Sequence, residues 1–229
     1  MSMTPPDFTR LLVPGARVTT VCGPATVAEP LRAELSLPSG ELVASAWRWE
    51  PVGFTETAPP GRYPVLLHPV VLDRGDPERP VSVAVQLVIR DEPAVSWTLA
   101  LLPGQDPADL SETGFFGFPV DGGEASLIDA RYLRELSESG TLDEFIADAT
   151  ADLGFGGLME STEDEDGRDA VMFKTGDGDG VYPTWIGRTA GGDLACFVVD
   201  FLLLDEPGQP DESDESDQPR PSRQTSTFL

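Results

Sequence analysis

The chain has 229 residues and carries 40 acidic against 15 basic side chains, a formal net charge of −25. Two cysteines are too few for a disulfide framework, and the acidity argues against nucleic acid or an anionic membrane surface as a partner. Hydrophobic residues, 40% of the chain, supply one substantial core, while 23 glycines and 22 prolines favour turns and strands over a helical bundle.

A short helix is expected over Thr4–Leu12, opened by Pro5, Pro6 and Asp7. The first twenty residues lack the basic start and apolar run of a secretory signal. A strand is expected over Arg17–Val21. Leu31, Ala33, Leu35 and Leu37 then alternate with Arg32, Glu34 and Ser36, the period of a half-buried strand. With Pro38-Ser39-Gly40 as a turn and Glu41–Trp49 as a return strand, this reads as a β-hairpin. Tyr63–Val71 is a further strand that Pro64 and Pro69 should confine to an edge or interrupt. Val81–Arg90 and Ala94–Leu102 read as a second hairpin across Asp91-Glu92-Pro93.

The middle of the chain turns helical. Asp129–Ser139, with Leu133 and Leu136, ends at Gly140. Thr141-Leu142-Asp143-Glu144 matches a capping box. Leu142, Phe145, Ile146, Ala149 and Leu153 follow helical spacing up to Gly154, with Asp143, Glu144, Asp148 and Asp152 on the outer side. Ser161–Asp169 reads as an acidic loop, and Ala170–Lys174, Tyr182–Arg188 and Leu194–Leu204 as strands joined by glycine-rich turns. The last of these, broken by Asp200, is shorter than the ~20 apolar residues that span a bilayer. From Asp205 onward acids, Pro, Ser and Gln dominate, the composition of a disordered tail. The expected organisation is one α+β domain over 1–204, mostly antiparallel and β-rich with two short helices in the middle, followed by a disordered acidic tail over 205–229. A cytoplasmic protein with reduced Cys22 and Cys196 is expected.

Charge is unevenly spread. Residues 1–90 hold 9 acids against 8 arginines, residues 91–200 hold 24 acids against 5 bases, and residues 201–229 hold 7 acids against 2. An acidic middle attracts a cationic partner.

Few motifs carry chemistry. His68 is the only histidine, lies in an apolar strand and has no G-x-S-x-G elbow to serve, so it reads as structural. One histidine and two distant cysteines cannot make a zinc site, and no P-loop is present. Trp47, Trp49, Trp97 and Trp185 look like strand residues. The conspicuous segment is Thr175-Gly176-Asp177-Gly178-Asp179-Gly180-Val181. Asp177 and Asp179 offer oxygen ligands to a hard cation such as calcium or magnesium, but the spacing fails as an EF-hand, because Val181 and Arg188 fall where oxygen ligands are required. The competing reading is a Gly-Asp turn between strands. Asp121-Gly122-Gly123-Glu124 poses the same choice, and the two turns would form a site only where they meet.

Four segments in order carry a resemblance: Leu35-Ser36-Leu37-Pro38-Ser39-Gly40; Pro60-Gly61-Arg62-Tyr63-Pro64-Val65; Val120-Asp121-Gly122-Gly123-Glu124 running to Asp129-Ala130; and Gly178-Asp179-Gly180-Val181-Tyr182-Pro183 with a closing Val199-Asp200-Phe201. Over residues 30–201 the chain resembles the bacterial family of unknown function called DUF4241. It departs from the family pattern at Ala46-Trp47, where Asp-Pro is usual, and at Asp177, where an aromatic is usual. The resemblance implies no activity.

Two functional expectations follow. The first is a non-catalytic acidic protein that docks a basic protein partner, as an immunity protein docks a cationic nuclease, through Asp143, Glu144, Asp148, Asp152, Glu163, Glu165, Asp164 and Asp166. It needs no cofactor. The second is a small-molecule or metal site, with calcium or magnesium as the candidate cation, formed by Asp121, Glu124, Asp177 and Asp179 with Arg62 and Tyr63 nearby.

Overall fold

Most of the strands fold into two facing antiparallel sheets. The structure, a computed structural model, describes residues 3, 5–46, 52–153, 157–176 and 178–204. Trp47, Trp49, Gly154, Asp177 and the tail 205–229 lie outside the described residues, as does the side chain of Asp152. In chain order the elements are α1 (Phe8–Leu11), β1 (Arg17–Thr20), β2 (Gly23–Val27), β3 (Leu31–Leu37), β4 (Leu42–Ser45), β5 (Gly61–Leu72), β6 (Val81–Val88), β7 (Ser96–Leu99), β8 (Phe118–Val120) and β9 (Glu124–Asp129). Then come α2 (Ala130–Ser139), α3 (Leu142–Leu153), β10 (Met159–Glu163), β11 (Asp169–Lys174), β12 (Gly180–Tyr182), β13 (Thr184–Arg188) and β14 (Leu194–Asp200).

The large sheet runs β1-β2-β5-β6-β14-β13-β7, with β3 also beside β5. The small sheet runs β10-β11-β9-β4, and β8 pairs with β12 as a two-stranded ribbon. Leu35, Leu67, Leu87 and Phe197 of the large sheet share a core with Leu42, Leu127, Val171 and Phe173 of the small one. The small sheet is buried on both faces. Val43, Ile128, Ala170 and Met172 point the other way and meet Leu133, Leu136, Phe145 and Ala149 of the helices. The layers are therefore large sheet, small sheet, helices. This is the β-rich, antiparallel α+β architecture expected, with both middle helices in place and the short N-terminal helix added.

The helix ends follow their local chemistry. Asp129 caps α2, its carboxylate accepting from the N–H groups of Arg131 and Tyr132, and Gly140 ends it at φ 75°. The N–H of Phe145 donates to the carbonyl of Thr141 at 3.0 Å at the start of α3.

Strand pairing departs from the sequence expectation in three places. β3 and β4 do not form a hairpin: β3 pairs with β5 in the large sheet and β4 with β9 in the small one. Pro38-Ser39-Gly40 carries the chain from one sheet to the other, and both strands keep their buried leucines in the shared core. Gly40 makes this crossover at φ 78°, where an added Cβ would collide with the carbonyl of Ala58. β6 and β7 are likewise not neighbours, because the β13–β14 hairpin lies between them. β5 is neither an edge strand nor interrupted: it is central despite Pro64 and Pro69. Pro69 sits where the neighbouring strand changes from β3 to β2 and where the pairing with β6 shifts register, so its missing N–H breaks no ladder bond there. Finally, part of the expected acidic loop, up to Glu163, is strand β10, and only residues 164–168 turn.

Candidate functional site

The two Gly-Asp turns meet. One joins β8 to β9 and the other joins β11 to β12, and because β9 pairs with β11 and β8 with β12 the turns lie side by side. The Asp179 carboxylate accepts from the N–H groups of Gly122 at 2.6 Å and Gly123 at 2.9 Å, and the N–H of Thr175 donates to the Gly123 carbonyl at 3.0 Å. Gly122 and Gly178 both take φ 102°, a left-handed conformation that favours glycine. The Thr175 hydroxyl donates to the Gly178 carbonyl, as does the Tyr182 hydroxyl at 2.8 Å. Glu124 pairs with Lys174 at the base of the turns. Asp179 thus acts as a latch between turns, and two of the candidate carboxylates already have partners. Among the described residues no group of three or more His, Cys, Asp or Glu side chains is placed to hold a metal ion.

Arg62 and Tyr63 lie elsewhere. Arg62, at the start of β5, pairs with Glu34 at 2.9 Å, Asp169 at 3.3 Å and Glu163 at 3.7 Å. Asp169 opens β11 and Lys174 closes it, so Arg62 and the Gly-Asp turns sit at opposite ends of that strand, ~16 Å apart. The Tyr63 hydroxyl donates to the carbonyl of Pro59.

Around Arg62 is a cavity of about 400 Å³ lined by Ser36, Asp129, Tyr132, Arg168 and Asp169 among others. The Asp169 side chain is fully buried and accepts from the Ser36 N–H at 2.7 Å and hydroxyl at 3.2 Å. Burial raises its pKa despite these bonds and Arg62. Arg168 lies over the Tyr132 ring at 4.8 Å and pairs with Glu135, Asp164 and Asp166. Burial, with the nearby Asp164 carboxylate, pushes the Tyr132 hydroxyl well above its ordinary range. Six carboxylates thus surround two guanidinium groups. Sequence reading named Arg62, Asp164 and Glu163 but not the buried pair Ser36–Asp169. The signal was present in the two motif segments that contain Ser36 and Arg62, but it did not show that they converge on β11.

The acidic residues cluster by layer. Asp143, Glu144 and Asp148 are exposed on α3, which packs on β10 and β11, and Glu163, Glu165 and Asp166 are exposed at the end of β10 and in its turn. Asp164 is half-buried. Burial raises its pKa, but the backbone and side chain of Arg168 outweigh this and hold it below the ordinary value. Of the cysteines, Cys22 is exposed, and Cys196 is buried with its thiol pushed up to about 11 by that burial. No helix among the described residues is long and apolar enough to cross a membrane.

A family model, described as "Protein of unknown function (DUF4241)", matches residues 35–199. The chain belongs to this family. No curated protein and no solved structure matches it. The DUF4241 span contains the whole small sheet, both middle helices, both Gly-Asp turns and the Arg62 cavity. It leaves out α1, β1, β2 and the first residues of β3.

Proposed function

We propose that this DUF4241 protein is a non-catalytic binding protein whose acidic face docks a basic protein partner. One observation carries the reading: the cations of the helical and small-sheet layer are all consumed internally. Between residues 124 and 174, Arg131 pairs with Glu135, Arg134 with Glu41, Arg168 with Glu135, Asp164 and Asp166, and Lys174 with Glu124. Asp143, Glu144 and Asp148 on α3, with Glu165 in the β10–β11 turn, have no ion-pair partner among the described residues. Their field is left to act on solvent and on an approaching cationic surface, which speeds association and makes binding salt-sensitive.

The test is affinity capture from lysate by the full chain, washed in parallel at low and high salt, with mass spectrometry of the eluate. The control is the triple variant Asp143→Asn, Glu144→Gln, Asp148→Asn, which keeps helical side-chain volumes. A basic protein retained at low salt, released at high salt and lost with the variant is the expected result. Capture that is unchanged in the variant, or no salt-sensitive basic protein at all, overturns the reading.

A further inference from the structure

The outer face of the large sheet carries a second cavity, of about 340 Å³, unrelated to the acidic layer. Phe197 of β14 stacks on Phe54 on the side of the small sheet. Its neighbour Cys196 therefore points away, as do Gln86 of β6 and Arg32, Leu66 and His68 of β3 and β5, which share that face by register. The segment containing α1 lies across this face. Phe8 packs edge-on against Trp97 at 5.0 Å, and the Thr9 hydroxyl donates to the Ala94 carbonyl, which pins the helix in place.

His68 is 4% exposed and lines this cavity. Its Nε2 lies 3.2 Å from the Gln86 side-chain oxygen, which only accepts, so Nε2 carries the proton. Nδ1 is then a bare lone pair, and it is buried with no hydrogen-bond partner. A buried acceptor left without a donor is an unusual expense in a folded protein. Arg32 stands across the strand pair from Leu66, diagonal to His68, and its charge acts on the His68 ring. Arg32 has no ion-pair partner among the described residues, in a chain where most described arginines are paired. Arg90, Glu29 and Glu92 complete the rim.

We infer that this cavity binds a small ring-bearing organic acid: a hydroxyl or N–H donor reaches His68 Nδ1, the ring packs against the apolar lining of Phe8, Leu12 and Leu66, and the carboxylate meets Arg32. The cavity volume suits one ring with a short acidic arm. Arg90 is already paired with Asp193 at 3.7 Å, which leaves Arg32 as the cation for a single carboxylate. The polar floor comes from the family-matched span, whereas Phe8 and Arg32 come from residues outside it.

His68 is the only histidine, so long-range proton–nitrogen NMR spectra of the full chain read its ring directly. The probe is 4-hydroxyphenylacetate, with phenylacetate lacking the donor and 4-hydroxyphenylethanol lacking the acid. In the free protein Nδ1 should show the shift of an unprotonated nitrogen, and the probe should move it saturably. Each control should bind about tenfold more weakly, the effect of one lost polar contact. Arg32→Ala, at an exposed position, should weaken the probe by a similar factor and leave 4-hydroxyphenylethanol unaffected. A protonated Nδ1 in the free protein, no saturable shift at millimolar probe, or phenylacetate binding as tightly as the probe each overturns the inference. None of these outcomes bears on the acidic face.

Discussion

Asp200 is a buried carboxylate whose removal should stabilise the protein, by an amount that depends on pH. It closes β14 and is 1% exposed. One oxygen accepts from the Leu202 N–H at 2.8 Å, while the other is buried without a hydrogen bond. Burial pushes its pKa up to about 6, eased in part by the Leu202 N–H and the nearby Trp185 indole. Between its ordinary value near 4 and the folded value near 6, the unfolded chain releases a proton that the folded chain keeps. Stability is therefore lost as pH rises through that window and levels off above it. Two pKa units correspond to about 3 kcal/mol. Asp200→Asn keeps the shape and the Leu202 contact and removes that penalty, but its buried amide hydrogens cost back about 1 kcal/mol. The variant should be more stable by about 2 kcal/mol at pH 7, a gain of roughly 4–8 °C in Tm. Urea unfolding of both proteins between pH 4.5 and 7.5 checks this, because the difference curve cancels the other titrating acids. The advantage of the variant should grow by about 2 kcal/mol from pH 4.5 to pH 7. A flat difference, or one that moves against the variant as pH rises, refutes the reasoning.

Gly40→Ala should be costly, since it places a Cβ at φ 78° against the Ala58 carbonyl where the chain changes sheets; a loss of at least about 2 kcal/mol is expected by chemical denaturation. Asp179→Ala removes the acceptor for two backbone N–H groups and should lower stability by about 1–2 kcal/mol. After chelation, calcium or magnesium should leave the melting curve of the parent protein in place, because Asp179 and Glu124 already have partners. His68, held neutral mainly by burial, should titrate by NMR at about 4. Because the unfolded chain protonates first, its contribution to stability is lost as pH falls from about 6.5 towards 4.

Within the described residues, the sequence was most informative where the cause is local. The alternation in β3 and β6, Gly140 at the end of α2 and the helical spacing of Phe145 and Ala149 all act over a few residues, and the structure contains each of them. The acidic turn hid strand β10 because Glu160 and Glu163 face solvent on an edge strand, where composition follows exposure rather than backbone conformation. For the site, the sequence singled out Asp179 and Arg62 as notable residues but placed them together, whereas β11 separates them.

The coarse order of strands, then two helices, then strands, the end of α2 and the excess of acid in the middle of the chain were therefore determined by the sequence alone, because propensity, capping and charge belong to neighbouring residues. Partner choice was not. Whether β3 meets β4 or β5, whether β7 meets β6 or β13, and how a proline-bearing β5 becomes central depend on which buried faces fit between the two sheets. The same holds for Asp179, Asp169, Asp200 and His68. Each is an ordinary polar residue in the chain, and only distant backbone, Ser36, Gln86 or the surrounding core turns it into a latch, a buried ion-pair partner, a proton-holding acid or a bare acceptor.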